Sequence, residues 1–185
     1  MSVRNILILL AVLVVLGGVY FVVSRPKPEE PPQPKVYIWD INYDDIVHIE
    51  ISLPRQNLSE AFIKIPRSDQ FPWFFDDEQR SPVNQLRWGG GIPLLLSGPG
   101  ASRVITENAT AEQLTEYGLA EPSMRITLTL ADGTVIETDI GDKTPNGQNC
   151  YVRVPESNAV AIVDYTWYDV LAALVTDPPY ISAGE

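Results

Sequence analysis

Cysteine and histidine are almost absent from this sequence of 185 residues, which contains one of each, Cys150 and His48. A single cysteine forms no internal disulfide, and together with one histidine it falls short of the usual zinc ligand sets. Metal binding would therefore have to depend on carboxylates. A catalytic triad of the Ser-His-Asp type would have His48 as its one candidate base.

Basic residues are also scarce, with 13 Lys and Arg against 24 Asp and Glu and a formal net charge of −11. Nucleic-acid binding requires clustered basic side chains that neutralise phosphates, so we expect no nucleic-acid partner. Residues 36–185 contain 9 of the basic and 22 of the acidic residues, a net charge of −13. Such a body is repelled by anionic lipid headgroups. It is either a solvated acidic surface or suited to a basic partner.

Charge is absent from residues 6–23, ILILLAVLVVLGGVYFVV. A helix of this length spans about 27 Å, close to the hydrocarbon thickness of a bilayer, so the run predicts one transmembrane helix within the lipid bilayer. The alternative is a cleavable signal peptide, but the run exceeds the usual apolar core and no small-x-small cleavage site follows it. We expect the helix to be retained behind a short head, residues 1–5.

Residues 24–35 form a proline-rich segment that contains five of the 16 prolines. Proline favours extended polyproline conformations, so the segment predicts a semi-rigid stalk, with a flexible linker as the alternative. Basic residues on both sides of the apolar run leave the positive-inside count ambiguous. Because a short head is easily left in the cytoplasm, we expect a protein of the inner (cytoplasmic) membrane with an extracytoplasmic domain over residues 36–185.

Alternation of apolar and polar side chains predicts strands in this domain. In residues 47–53, Val47 and every second residue after it are apolar and alternate with His48, Glu50 and Ser52. A polar loop is expected at residues 54–60. Asp132-Gly133 predicts a two-residue hairpin turn. The further strands are expected at residues 61–65, 124–130, 135–140, 150–154 and 159–163. The aromatic run at residues 71–75 is expected to be a strand or another part of the core.

Helix signals are fewer but clear. Thr110 with Gln113 at the third position predicts a capping box and a short helix that Gly118 ends. Asp164 predicts the N-cap of a second helix that runs through Leu174, with Val170 among its apolar side chains. The fold class is therefore α+β, with predominantly antiparallel β hairpins and short helices. Both halves of the domain follow a similar order of elements, so an internal duplication is a further hypothesis.

The segment WGGGIPLLLSGPG, residues 88–100, is apolar but interrupted by glycine and proline. It fits neither a strand nor a long helix, and Pro93 predicts a single helical turn through residues 94–96. Two interpretations remain open. The segment is packed inside its own domain, or it is a docking surface for a partner.

No pattern in the sequence predicts catalysis. His48, Glu50 and Ser52 share one face of a predicted strand, but alternate positions lie about 7 Å apart, too far for a direct hydrogen bond. The acidic clusters at residues 44–45, 76–78 and 139–142 lack the ligand spacing of a calcium loop. We therefore expect no catalytic, metal-binding or cofactor-binding residues, and a protein that is not an enzyme. His48 is expected to be exposed, and Cys150 to be a small buried hydrophobe.

Several stretches resemble the family known as DUF4340. The likeness includes an aromatic-aspartate opening, a helix that ends in the motif YGL (117–119), and a hairpin that leads into the motif IGD (140–142). The resemblance implies a bacterial, membrane-anchored protein. Some members are associated with transporter systems, which suggests an accessory subunit. The resembling stretches are residues 36–51, 110–122, 126–154 and 159–174.

Together these patterns predict a non-enzymatic, single-pass accessory or scaffold subunit of a larger bacterial membrane protein complex. Its expected partners are integral membrane protein subunits. The alternative function is a periplasmic ligand-binding or cell-wall-binding module. DUF4340 has no established activity, so the resemblance assigns no catalytic residue.

Overall fold

The structure is a computed structural model that describes residues 36–66, 71–89 and 91–181, together with residues 3, 5, 10, 13, 16–18 and 20. The chain divides into two compact units, Met1–Pro34 and Lys35–Glu185. The described residues of the first unit are helical and exposed. Most of the predicted transmembrane helix (6–23) and all of the predicted stalk (24–35) lie outside the described residues. Among the residues described, no helix is both long enough and apolar enough to cross a membrane.

The second unit contains ten described strands, in chain order β1 (Val36–Tyr37), β2 (Ile46–Leu53), β3 (Leu58–Lys64), β4 (Trp73–Phe75), β5 (Gly100–Ala101), β6 (Arg103–Thr106), β7 (Met124–Leu130), β8 (Val135–Lys143), β9 (Asn149–Arg153) and β10 (Val160–Asp164). Eight of them form one sheet in the order β4-β3-β2-β7-β8-β9-β10-β6, and β1 pairs separately with β5. Each of these pairings is antiparallel.

Four short helices accompany the strands: α1 (Gln85–Trp88), α2 (Ile92–Ser97), α3 (Ala111–Glu116) and α4 (Tyr165–Thr176). The predicted mixed α/β class, dominated by antiparallel strands with short helices, is confirmed. Helix α3 begins as predicted, because Thr110 and Gln113 form both hydrogen bonds of a capping box. Asp164 caps α4 by accepting a 2.8 Å hydrogen bond from the N–H of Thr166.

Strand β2 lies inside the sheet, and its alternating side chains point into the core. Every second residue from Ile49 to Leu53 is fully buried. The prediction that Val47 belongs to this buried row is wrong. A register irregularity between Ile46 and His48 places Ile46 in the core instead, as a β-bulge does when it shifts the faces of a strand by one residue.

The hairpin between β7 and β8 also differs from the expectation. Leu130 accepts from the N–H of Gly133 and donates its own N–H to Thr134, which leaves three residues in the loop. Gly133 takes a φ of +88°, whereas Asp132 has a negative φ. A type I turn followed by a left-handed glycine is the usual form of a three-residue hairpin. The predicted two-residue turn is therefore one residue too short.

The early part of the sheet is longer than predicted. A 3-10 turn at Pro54–Gln56 is closed by Asn57 in the left-handed region, and β3 then begins at Leu58. The expected loop over residues 54–60 was thus too long. Strands β1, β5 and β6 were not predicted, since runs of two to four residues are too short to display a period of two.

The main core lies on one face of the sheet. Helix α4 packs across β2, β3, β9 and β10, and its Trp167, Leu171 and Leu174 are buried there. A second, smaller cluster forms where α3 and the turn after it meet β10, around Leu119 and Val160. The main core therefore brings α2 and α4 to the same side of the molecule, where the candidate site lies.

Candidate functional site

In the apolar segment 88–100, Trp88 ends α1, residues 92–97 form α2, and Gly100 begins β5. Gly91 precedes the helix, Pro93 lies in its first turn, and the helix ends before Gly98. Ile92 and Leu96 are buried, whereas Leu94 is 64% exposed. The segment therefore contributes to the core on one side and exposes apolar side chains on the other.

Two indole rings hold the end of α2 in place. Trp39 Nε1 donates to the carbonyl oxygen of Leu96 at 2.6 Å, and Trp167 Nε1 donates to that of Leu95 at 3.2 Å. The two rings meet edge to face with centroids 6.3 Å apart. The last carbonyls of a helix have no partners within the helix, so these bonds satisfy α2 and fix its position. The sequence did not predict this arrangement, because the two tryptophans lie far from α2 along the chain.

A groove runs along the exposed sides of α2 and α4. It consists of two recesses of about 540 Å³ and 510 Å³, both lined by Gly91, Leu95 and Val170. Val170 is 45% exposed, so the prediction that it joins the buried face of α4 is wrong. The core-facing stripe of α4 is narrower than the sequence indicated. The open stripe beside it forms one wall of the groove.

Charged side chains border the groove at both ends. Arg87 lies at one end, where its guanidinium is 2.6 Å from the carboxylate of Asp177. Asp164 lines the other end, and Asp169 is exposed on α4 next to Val170. Lys143 lies nearby, but its ammonium group sits 3.5 Å from the centre of the Tyr165 ring. Arg87 and Asp177 thus balance each other at one end, whereas at the other end Asp164, which lines the groove, and Asp169, just outside it, outnumber Lys143.

His48 lies on the opposite, polar face of the sheet. Its Nε2 atom is 2.9 Å from a carboxylate oxygen of Asp76, which also pairs with Arg80. Burial lowers the pKa of His48; Glu50 opposes this shift, and the positive charge of Arg80 adds to it. The neutral imidazole therefore donates a hydrogen bond to the carboxylate. His48, which was expected to be exposed, is half-buried, with 24% of its side chain exposed beside Asp76.

The YGL and IGD motifs contact each other directly. The N–H of Asp142 donates to the carbonyl oxygen of Tyr117 at 2.8 Å. A Cβ atom on Gly141 would lie 2.0 Å from that same oxygen, and a Cβ on Gly118 would lie 2.4 Å from the carboxylate carbon of Asp142. The close approach of the two backbones therefore requires glycine at position 141, and the left-handed φ of +71° favours it at position 118. Their role is structural packing.

Arg55 completes this contact from the turn between β2 and β3. Its guanidinium bonds to the carboxylate of Asp142 at 2.6 Å, to the carbonyl of Gly118 at 3.0 Å and to that of Glu121 at 2.8 Å. The sequence did not single out Arg55. An arginine in a polar loop carries no local signal that it will bind residues more than 60 positions away.

Two of the acidic residues that the sequence singled out have structural contacts. Asp77 accepts from the N–H of Ser81, and the Asp139 carboxylate lies 2.8 Å from Arg125 Nε. Within the described part of the chain, no group of three or more His, Cys, Asp or Glu could hold a metal ion. Cys150 is fully buried, as predicted, and burial raises the pKa of its thiol to about 12.

These features define a mixed α/β domain dominated by antiparallel strands, with an apolar groove on the helical side of its eight-stranded sheet. Residues 96–177 match the family model described as Domain of unknown function (DUF4340). The resemblance seen in the sequence is confirmed over these residues, which include both motifs and α4. The match begins inside α2, and the resembling stretch at 36–51 lies outside it. No curated protein and no solved structure matches the chain.

Proposed function

We propose that this protein is a non-enzymatic accessory subunit of a larger bacterial membrane protein complex. In this proposal a helix over residues 6–23 anchors it in the inner membrane, and residues 36–185 lie on the extracytoplasmic side. The domain binds an integral membrane subunit of the complex through the groove between α2 and α4.

The observation that carries this proposal is the exposure of apolar side chains along the groove. Leu94 and Val170 expose large parts of their side chains on adjoining elements, with Leu95 between them. Scattered apolar residues on a surface need no explanation, but a contiguous apolar groove with charged borders is typical of a protein-binding site. The groove is also held rigidly, because Trp39 and Trp167 fix α2.

The anchor and the stalk rest on the sequence. The uncharged run at residues 6–23 has the length of a bilayer-spanning helix, and the proline-rich segment 24–35 separates it from the domain. His48, the one candidate catalytic base, does not argue against a non-enzymatic role, since its contact with Asp76 holds the 76–82 loop in place.

Co-purification of the full-length chain from its native membrane tests the proposal. We expect integral membrane subunits to be recovered in stoichiometric amounts after extraction in mild detergent. Leu94→Asp together with Val170→Asp should remove them. Leu58→Asp together with Val135→Asp is the matched control, because these residues are 44% and 53% exposed elsewhere on the domain. Recovery of a free monomer, or equal loss with both double variants, contradicts the proposal.

Cysteine labelling tests the anchor and its orientation. Because Cys150 is buried, a cysteine introduced at Ser2 or Ser182 would be labelled against little background in intact cells. We expect an impermeant maleimide to label position 182 and not position 2 once the outer envelope is permeabilised. A soluble chain trimmed after residue 24 contradicts the anchor. It would favour the alternative of a diffusible ligand-binding module, whose ligand would raise the thermal stability of the domain in a saturable way.

A further inference from the structure

The dimensions of the groove limit what can occupy it. Its long wall is α4, whose 12 residues extend about 18 Å. Thr166, Val170, Ala173 and Asp177 line it at three- and four-residue spacing along α4. An apolar channel between helices is suited to an amphipathic helix, which inserts side chains repeated at the same spacing. About three turns of such a helix would match the length of α4.

We propose that the occupant is an amphipathic helix of the partner subunit whose apolar stripe is flanked by lysine or arginine. This inference rests on the proposed function and adds the chemistry of the partner. The apolar stripe covers Leu94, Leu95 and Val170, and the basic flanks face the acidic border of the groove.

Charge complementarity carries the second half of the proposal. The domain has a net charge of −13. At one end of the groove Arg87 and Asp177 balance each other, and at the other end Asp164 and Asp169 outnumber Lys143, which keeps its charge over the Tyr165 ring. Asp164 therefore presents negative charge to an incoming helix, and Asp169 adds to it from just outside the groove. Basic flanks would be attracted to this border and would accelerate association, whereas acidic flanks would be repelled.

The same charges argue against a second copy of this chain as the occupant. Two copies would bring two bodies of net charge −13 together and would place like charges at the borders of both grooves. Like charges brought together at an interface oppose association and thereby exclude wrong partners.

Two synthetic peptides of equal length test the inference, each with the same leucine stripe and with either lysine or glutamate at all flanking positions. Fluorescein-labelled peptides are titrated into the detergent-solubilised full chain, and binding is followed by fluorescence anisotropy. We expect the lysine peptide to bind at least about tenfold more tightly than the glutamate peptide at low salt. The difference should shrink as salt screens the charges.

Matched variants separate seating in the groove from general attraction to an acidic protein. Val170→Asp and Val135→Asp each add one negative charge at a similarly exposed valine. General attraction would strengthen in both, whereas seating in the groove predicts severalfold weaker binding only for Val170→Asp. Asp164→Asn, which keeps a helix cap but removes the charge that lines the groove, should reduce the preference for the lysine peptide. Glu107→Gln, which removes the charge of an exposed acid outside the groove, should not.

Equal affinity for the two peptides, or binding insensitive to Val170→Asp, overturns this inference. So does a dimer of the chain that Val170→Asp dissolves, as measured by analytical ultracentrifugation. None of these outcomes contradicts the proposed function, provided that the double variant Leu94→Asp, Val170→Asp still loses its partners on co-purification. If both the groove double variant and the control double variant keep their partners, the proposed function itself is contradicted.

Discussion

Arg55 and Asp142 lie 87 positions apart in the chain, yet a guanidinium nitrogen of one is 2.6 Å from a carboxylate oxygen of the other. Both side chains are nearly half exposed, and an ion pair so close to water contributes little by itself. The guanidinium also bonds to two carbonyl oxygens, those of Gly118 and Glu121. Arg55 thus joins the β2–β3 turn to the YGL and IGD motifs.

Arg55→Lys tests whether the three hydrogen bonds of the planar guanidinium contribute more to stability than its positive charge does. Lysine keeps the positive charge but cannot reach three acceptors in a fixed plane. We expect a loss of about 1 kcal/mol in the free energy of unfolding, measured by urea denaturation. Arg103→Lys, at an exposed residue on the edge strand β6, should leave stability unchanged. Equal stability of the two variants would show that the three hydrogen bonds contribute nothing beyond the charge of Arg55.

Gly141→Ala tests the contact between the two motifs. The added methyl group would lie 2.0 Å from the carbonyl oxygen of Tyr117, so the backbone has to move apart and the hydrogen bond from Asp142 is strained. We expect a destabilisation of about 3 kcal/mol or more, in the range of the most harmful single substitutions. Gly100→Ala is the control, since nothing lies within 4 Å of its added Cβ. A thermal shift that is equally small in both variants would contradict the packing argument.

Local signals explain which parts of the fold could be predicted. The capping box at Thr110 and the cap at Asp164 were found because each depends on residues three or fewer positions apart. The face of Val47 was not, because the bulge beside it depends on how β2 pairs with β7. The three-residue hairpin was missed because Asp132-Gly133 fits two turn types equally well until the strand register is known.

The candidate site was only half predictable for the same reason. The sequence indicated that residues 88–100 were unusual and left core packing and docking both open. A choice between these two interpretations requires knowing that Leu94 points outward while Ile92 and Leu96 point inward. This orientation depends on how α2 packs in the folded domain. Trp39 and Trp167 are distant in sequence from the carbonyls to which they donate, so no local pattern could predict these contacts.

Trp88 offers a test of hydrogen bonding in this core. Its indole N–H is buried and has no hydrogen-bond partner among the described residues, whereas that of Trp39 donates to Leu96. Trp88→Phe therefore loses packing alone, while Trp39→Phe also leaves a carbonyl without its donor. We expect Trp39→Phe to cost about 1 kcal/mol more, although Trp88 is the more buried residue at 1% against 8% exposed. Urea denaturation followed by far-UV circular dichroism measures both, and the reverse order would contradict the argument.

Cys150 should be unreactive in the folded protein. Only the thiolate attacks a disulfide reagent, and burial both blocks access and raises the pKa of the thiol to about 12. We expect no reaction with Ellman's reagent under native conditions and one thiol per chain after denaturation. Val152→Cys should behave alike because this neighbour in β9 is also fully buried, whereas Ser102→Cys should react at once. Fast labelling of the native chain would show that β9 opens locally.

The contact between His48 and Asp76 predicts a dependence of stability on pH with a definite sign. The folded protein holds the pKa of His48 below its ordinary value of 6.5, chiefly through burial and also through the charge of Arg80. The unfolded chain then binds the proton more readily, so the stabilising contribution of His48 is present above about pH 6.5 and is lost as the pH falls through the folded pKa.

His48→Gln keeps a donor near Asp76 but does not titrate. The stability of the natural chain relative to this variant should therefore fall between about pH 8 and pH 5, as measured by parallel urea denaturation in the same buffers. Other groups titrate in this range, but they are common to both chains and cancel in the difference. A relative stability that rises on acidification would mean that Asp76 holds a charged imidazolium, and it would reverse the assignment of His48 as a neutral donor.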